Sequence, residues 1–110
     1  MKYFANFDEA TPNQGAGHVG YPMLSAKNGC VKGCCTGISV YTTTEFMKPG
    51  IHDDQEGFVV LSGSGVARLG DQEFPLRPET SFIVPAGVPH SIKSDSASVP
   101  VRVFWFHAAV

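Results

Sequence analysis

Two short segments carry the side chains best suited to chemistry, His52-Asp53-Asp54-Gln55-Glu56 and Pro85-Ala86-Gly87-Val88-Pro89-His90. Imidazole nitrogens together with a carboxylate oxygen suit a borderline divalent metal such as zinc, iron, nickel or manganese. His52, Glu56 and His90 form a 2-His-1-carboxylate set, which leaves positions on the ion open to a substrate. In both segments the ligand-type side chain stands at the rim of a predicted β-strand, beside turn-forming residues. A carboxylate such as Glu56 on the inward face of an apolar strand is costly unless a metal or a histidine partners it. Glu56 is also the candidate proton carrier for a reaction at such an ion.

The elements that must position these residues are strands. Gly (12) and Pro (8) recur too often for long 3.6-period stretches, and β-branched and aromatic residues gather in short runs. The runs that read as strands are Gly37 to Phe46, Gly57 to Ser62, Gly65 to Leu69, Gln72 to Leu76, Thr80 to Val84, His90 to Lys93 and Val99 to His107. Turn residues separate them at Lys48-Pro49-Gly50, Ser62-Gly63-Ser64-Gly65, Gly70-Asp71, Arg77-Pro78-Glu79 and Pro85-Ala86-Gly87. This spacing predicts an all-β sandwich or barrel. Alternation puts Glu56, Phe58 and Val60 on one face of their strand and Gly57, Val59 and Leu61 on the other. Both faces are apolar, which predicts a strand covered on both sides. The last strand places Val101, Val103, Trp105 and His107 together, with Arg102, Phe104 and Phe106 opposite. The face that looks inward would line an apolar pocket.

The length, 110 residues, fits one domain with one core. A hydrophobic fraction of 43% and a charged fraction of 16% describe a soluble globule. A formal net charge of -2, with Lys and Arg scattered singly, excludes the basic footprint of a nucleic-acid binder. No apolar run reaches membrane-spanning length and the start lacks a secretory signal pattern, so the expected compartment is the cytoplasm. Three cysteines, Cys30, Cys34 and Cys35, are an odd number without paired C-x-x-C spacing. They are expected to pack in a strand as small apolar thiols, with a redox pair or a second metal site as the alternative.

The chain resembles a small single-domain cupin. That family's first motif reads, in outline, G-x5-H-x-H-x3–4-E-x6-G, and here six residues separate Glu56 from Gly63. The run Phe58-Val59-Val60-Leu61-Ser62-Gly63 supplies the motif's apolar strand and closing glycine. The second motif reads G-x5-P-x-G-x2-H-x3-N, and Pro85, Gly87 and His90 match it behind the run Phe82-Ile83-Val84. The matched region runs from Phe46 to Ser94, close to half the chain. The resemblance implies a cupin-type double-stranded β-helix, or jelly-roll barrel, over 37–110. Residues 1–36 would be an N-terminal extension and a candidate edge strand.

The resemblance also implies one divalent metal ion (iron, manganese, zinc or nickel) held by His52, Glu56 and His90. The sequence departs from the pattern where the family's first histidine would stand, at Gly50, and at three further positions, Thr44, Glu79 and Ser94. Asp54, His107 or His18 could complete the site, although Asp53 and Asp54 also suit solvated turns. Tyr41 and Arg102 are candidates for contact with an acidic or hydroxylated substrate, or plain surface residues. The implied function is a metal-binding cupin acting on a small molecule as a dioxygenase, isomerase or lyase. The alternative is a non-enzymatic barrel that binds a sugar or organic acid, with metal absent or structural. The expected partners are that small molecule and a second copy of the chain in a homodimer.

Overall fold

Frequent Gly and Pro keep this chain's apolar runs short enough to form strands rather than helices. The computed structural model, which describes residues 1–110, is built almost wholly from them. In chain order they are β1 (Asn13–Gly15), β2 (His18–Pro22), β3 (Cys35–Tyr41), β4 (Gln55–Ser62), β5 (Gly65–Leu69), β6 (Gln72–Leu76), β7 (Ser81–Val84), β8 (His90–Ser94) and β9 (Val101–Ala108). Single 3-10 turns at Phe7–Glu9 and Ala26–Asn28 are the only helical pieces.

All pairings are antiparallel. They make a six-stranded sheet ordered β1-β2-β3-β9-β4-β7 and a three-stranded sheet ordered β6-β5-β8. The six-stranded sheet contributes Phe58, Val60, Val84, Val101 and Val103 to the core, and the smaller sheet contributes Ala67, Leu76 and Ile92. Burying each large aliphatic or aromatic side chain of this set is worth about 1.5–3 kcal/mol. The expected all-β jelly-roll architecture is what these two sheets form. Pro75 sits in β6, an edge strand, where its missing N–H costs no ladder bond.

Three sequence expectations change at this level. The strand read from Gly37 to Phe46 ends at Tyr41. Thr43 Oγ1 takes the next part of the chain into local bonds, donating to the Glu45 carbonyl and accepting from the Glu45 N–H. Such bonds compete with a strand ladder. The outer face of β4 is covered only in part, with Gly57 buried beneath the Phe106 ring and Val59 half-buried. Leu61 there, with Ile83 of β7 and Phe106 of β9, keeps 42%, 47% and 40% of its surface, because the smaller sheet packs only on the inner face. The cysteines do not pack together in a strand either. Cys35 alone lies in β3, Cys34 is exposed, and all three are free thiols.

The hairpin of β1 and β2 pairs along the edge of β3. It extends the six-stranded sheet past the mouth of the barrel. No helix is long and apolar enough to cross a membrane.

Candidate metal centre

Three inward-facing runs change from apolar to polar toward the same end of the barrel. Along β4 the run is Val60, Phe58, Glu56; along β9 it is Val101, Val103, Trp105, His107; along β8 it is Ile92, His90. The β4–β9 register sets Glu56 directly opposite His107. Gly50 and His90 exchange both backbone hydrogen bonds at 2.9 Å, which draws residues 50–52 against the start of β8. The Gly87 N–H then donates to the His52 carbonyl at 2.8 Å. Gly87 holds φ +77, a conformation that suits glycine, so the turn that delivers His90 also fixes His52.

The carboxylate of Glu56 is the hub. His52 Nε2 lies 3.0 Å and His90 Nε2 3.5 Å from Glu56 Oε1, while His107 Nε2 lies 3.4 Å from Oε2. Glu56 is 8% exposed. The other nitrogen of each ring already has an acceptor. His52 Nδ1 bonds the Asp54 backbone carbonyl at 3.2 Å with Asp54 Oδ1 2.8 Å away, His107 Nδ1 lies 2.9 Å from Asp54 Oδ2, and His90 Nδ1 3.2 Å from the Val88 carbonyl. Carboxylate and carbonyl oxygens only accept, so each ring has an acceptor at both nitrogens, and a neutral ring that keeps its proton on Nδ1 turns a lone pair on Nε2 toward Glu56. Three lone pairs then point toward a carboxylate. That arrangement calls for a cation among them, either a proton or a metal ion.

The donor set fits a metal. An ion about 2.1 Å from two ligand atoms holds them roughly 3.0 Å apart at a right angle and roughly 3.4 Å apart at a tetrahedral angle. The separations from Glu56 lie between 3.0 and 3.5 Å. His52, Glu56 and His90 offer atoms that all lie within 4.8 Å of one another. His52, Asp54 and His107 form a second such group on the Nδ1 side. The first is the better seat, because it contains the buried carboxylate and opens on the cavity described below. In the second, Asp54 is already used in holding the two rings.

Electrostatics agree with this division. Burial tends to push the Asp54 carboxyl up, but the hydrogen bond and charge of His107, then those of His52, hold it below the usual value. Burial pushes His90 down, yet its bond to Glu56, the Val88 carbonyl and the Glu56 charge together leave it raised. Tyr41 is pushed far above the usual phenol value by burial and then by the charge of Glu56. Burial, followed by the charge of Asp54, also raises Cys35, which pairs with His107 across β3 and β9.

A cavity of about 340 Å³ opens beside the cluster. Glu56, His90, His107 and Gly50 line it on the side of the cluster. Phe58, Ile92, Trp105, Tyr41 and Ser39 are among its walls, and Trp105 Nε1 donates to Ser39 Oγ at 2.9 Å. The β1–β2 hairpin and the segment holding Met47 and Lys48 enclose the rest.

The structure therefore brings His52, Glu56, His90, His107 and Asp54 together. His18 belongs to neither candidate group; it lines the cavity and stacks on Tyr41 at 4.8 Å between ring centroids. Asp53 is exposed. Arg102 lies over the Phe7 ring at 5.2 Å and is not a cavity wall, whereas Tyr41 is one. The bridging role of Asp54 and the place of Lys48 carried no local sequence signal. His107 had one, since alternation put it on the face of Val101 and Val103.

Comparison with known proteins follows the same lines. The cupin-domain profile matches residues 41–107. Among curated protein sequences, none matches the chain. Solved structures share the fold at low identity. The cupin domain of Cnp3 from Schizosaccharomyces pombe superposes with a TM-score of 0.78 at 17% identity, over 96% of this chain and 72% of that one. A predicted oxalate decarboxylase from Thermotoga maritima gives 0.81 at 14% identity, over 96% and 98%. Hydroxypropylphosphonic acid epoxidase from S. wedmorenis gives 0.81 at 17% identity, and the chain spans 94% of itself but 57% of that enzyme.

Proposed function

The chain belongs to the cupin family, and from that premise we propose that it holds one divalent metal ion for work on a small molecule. The ligands in this reading are His52, Glu56 and His90, with His107 as a third imidazole. The observation that carries it is the orientation of the three rings, each Nδ1 facing a protein acceptor and each Nε2 turned to Glu56. His107 adds an imidazole from β9, opposite Glu56, and leaves the position of the family's first histidine, at Gly50, without a donor.

A divalent ion in this seat supplies Lewis acidity toward a carbonyl or enediolate oxygen, or a site for dioxygen if it is iron. Asp54 and the Val88 carbonyl hold the ring protons away from the ligand atoms. Phe58, Ile92 and Trp105 keep bulk water from the cluster side of the cavity. Glu56 is the group placed to accept or return a proton. One structure of the epoxidase is of its iron(II) form, which supports iron among the candidate ions. Dioxygenase, isomerase and lyase reactions all use such a centre.

The test is the metal content of protein purified without a chelator or a histidine tag. Wild type should carry about one ion per chain at a 3-His-1-carboxylate site, and both His90→Ala and Glu56→Gln should lose it. An empty wild type that takes up no added iron, manganese, zinc or nickel would sink the reading and leave a metal-free binding barrel.

A further inference from the structure

The ligand side chains do not surround the centre evenly. His52 is not a wall of the cavity, whereas Glu56, His90 and His107 meet it. Gly50 also meets it, and a Cβ built there would stand 3.5 Å from His90 Nε2 and 3.6 Å from His90 Cε1. A side chain at position 50 would thus run across the ligand edge of His90. Glycine leaves that side of the centre without a protein donor and open to the cavity.

Charge narrows what can fill the gap. Glu56 is the only carboxylate on the cavity wall and Lys48 the only Lys or Arg. The basic side chains that form ion pairs are Lys2 with Glu9 and Arg68 with Glu73, so Lys48 is uncommitted. A divalent ion outweighs the single charge of Glu56, and Lys48 adds another positive charge. The filled centre therefore favours an anion. About 340 Å³ lies at the small end of ligand cavities, which admits an acid of a few carbons.

We propose that the cavity takes a small α-hydroxy or α-oxo acid, which chelates the metal on the side left open by Gly50 and sets a second anionic group against Lys48. The inference rests on the metal-centre reading, and its experiment separates the two. Protein loaded with cobalt(II) is titrated with malate, lactate and ethylene glycol while its visible absorption is followed, with cobalt content measured in parallel. Malate and lactate shift the cobalt bands, malate at lower concentration, and ethylene glycol does not. Lys48→Ala weakens malate severalfold and leaves lactate and cobalt content unchanged. Gly50→His keeps the cobalt and abolishes both shifts. Position 50 lacks a positive φ, so the change meets no backbone strain, and Gly50→Ala is a milder variant that weakens both acids.

Full cobalt loading with bands that neither acid moves would overturn the ligand proposal alone. So would a Lys48→Ala protein that binds malate as wild type does. Failure to load cobalt at all would overturn the metal centre beneath it.

Discussion

At Asp54 the carboxylate accepts from His107 Nδ1 at 2.9 Å, while His52 Nδ1 bonds the Asp54 backbone carbonyl at 3.2 Å and has the carboxylate 2.8 Å away. Because these oxygens only accept, they hold the ring protons on Nδ1 when a metal ion takes the Nε2 side. An amide at this position would offer one accepting oxygen and one donating nitrogen. One ring would meet an N–H, move its proton to Nε2 and cease to be a ligand. Asp54→Asn should therefore weaken metal binding by about 10–100-fold, the usual effect of losing such an outer partner. Asp54→Glu, which keeps two accepting oxygens, should restore part of it. Isothermal titration of the metal-free variants with zinc measures both, and nitrogen NMR of the ring atoms reads the tautomer directly. Equal affinity in Asp54→Asn and wild type would show that the carboxylate does not set the rings.

At the scale of the element, the turn before β7 holds a contradiction between residue and backbone. Glu79 stands where the family's second motif opens with glycine, and it has φ +73. A side chain in the left-handed region costs about 1–2 kcal/mol. Glycine returns roughly 0.4–1 kcal/mol of that through the freer unfolded chain. Glu79→Gly should thus stabilise the protein by about 0.5–1 kcal/mol, seen as a melting temperature higher by a few degrees. A lower melting temperature would show that the Glu79 side chain makes contacts that outweigh the strain. Most strands were legible because Gly, Pro, Asn and Asp mark their ends, as at β5 and β6, where the expected spans coincide with the observed ones. The threonines after Tyr41 were not, since whether Thr extends a strand or bonds its own backbone depends on what lies beside it. Likewise, the spacing of His52 and Glu56 and the turn before His90 revealed these three as candidate ligands. The pairing of Glu56 with His107 depends on the β4–β9 register, and the role of Asp54 depends on where that pairing leaves the rings. Neither is written in the local sequence.

In the whole molecule, the candidate ligands come from both sheets. Glu56 and His107 belong to the six-stranded sheet, His90 to the three-stranded one, and His52 to the segment leading into β4. The apolar cluster that joins the sheets uses none of them. Metal-free protein should therefore stay folded, while a bound ion ties the sheets together at the open end. At a free concentration 100 times the Kd, binding adds about 2.7 kcal/mol, a rise of roughly ten degrees in melting temperature for a chain of this size. Thermal unfolding with and without a chelator checks this, and an unchanged melting temperature at saturating metal would show that no ion bridges the two sheets. The chain's one tryptophan, Trp105, has its indole edge-on to the His107 ring with centroids 5.5 Å apart, on the wall of the same cavity. The protein thus carries its own optical reporter: cobalt, nickel or iron at the centre should quench the emission of that single fluorophore, whereas closed-shell zinc should leave it bright.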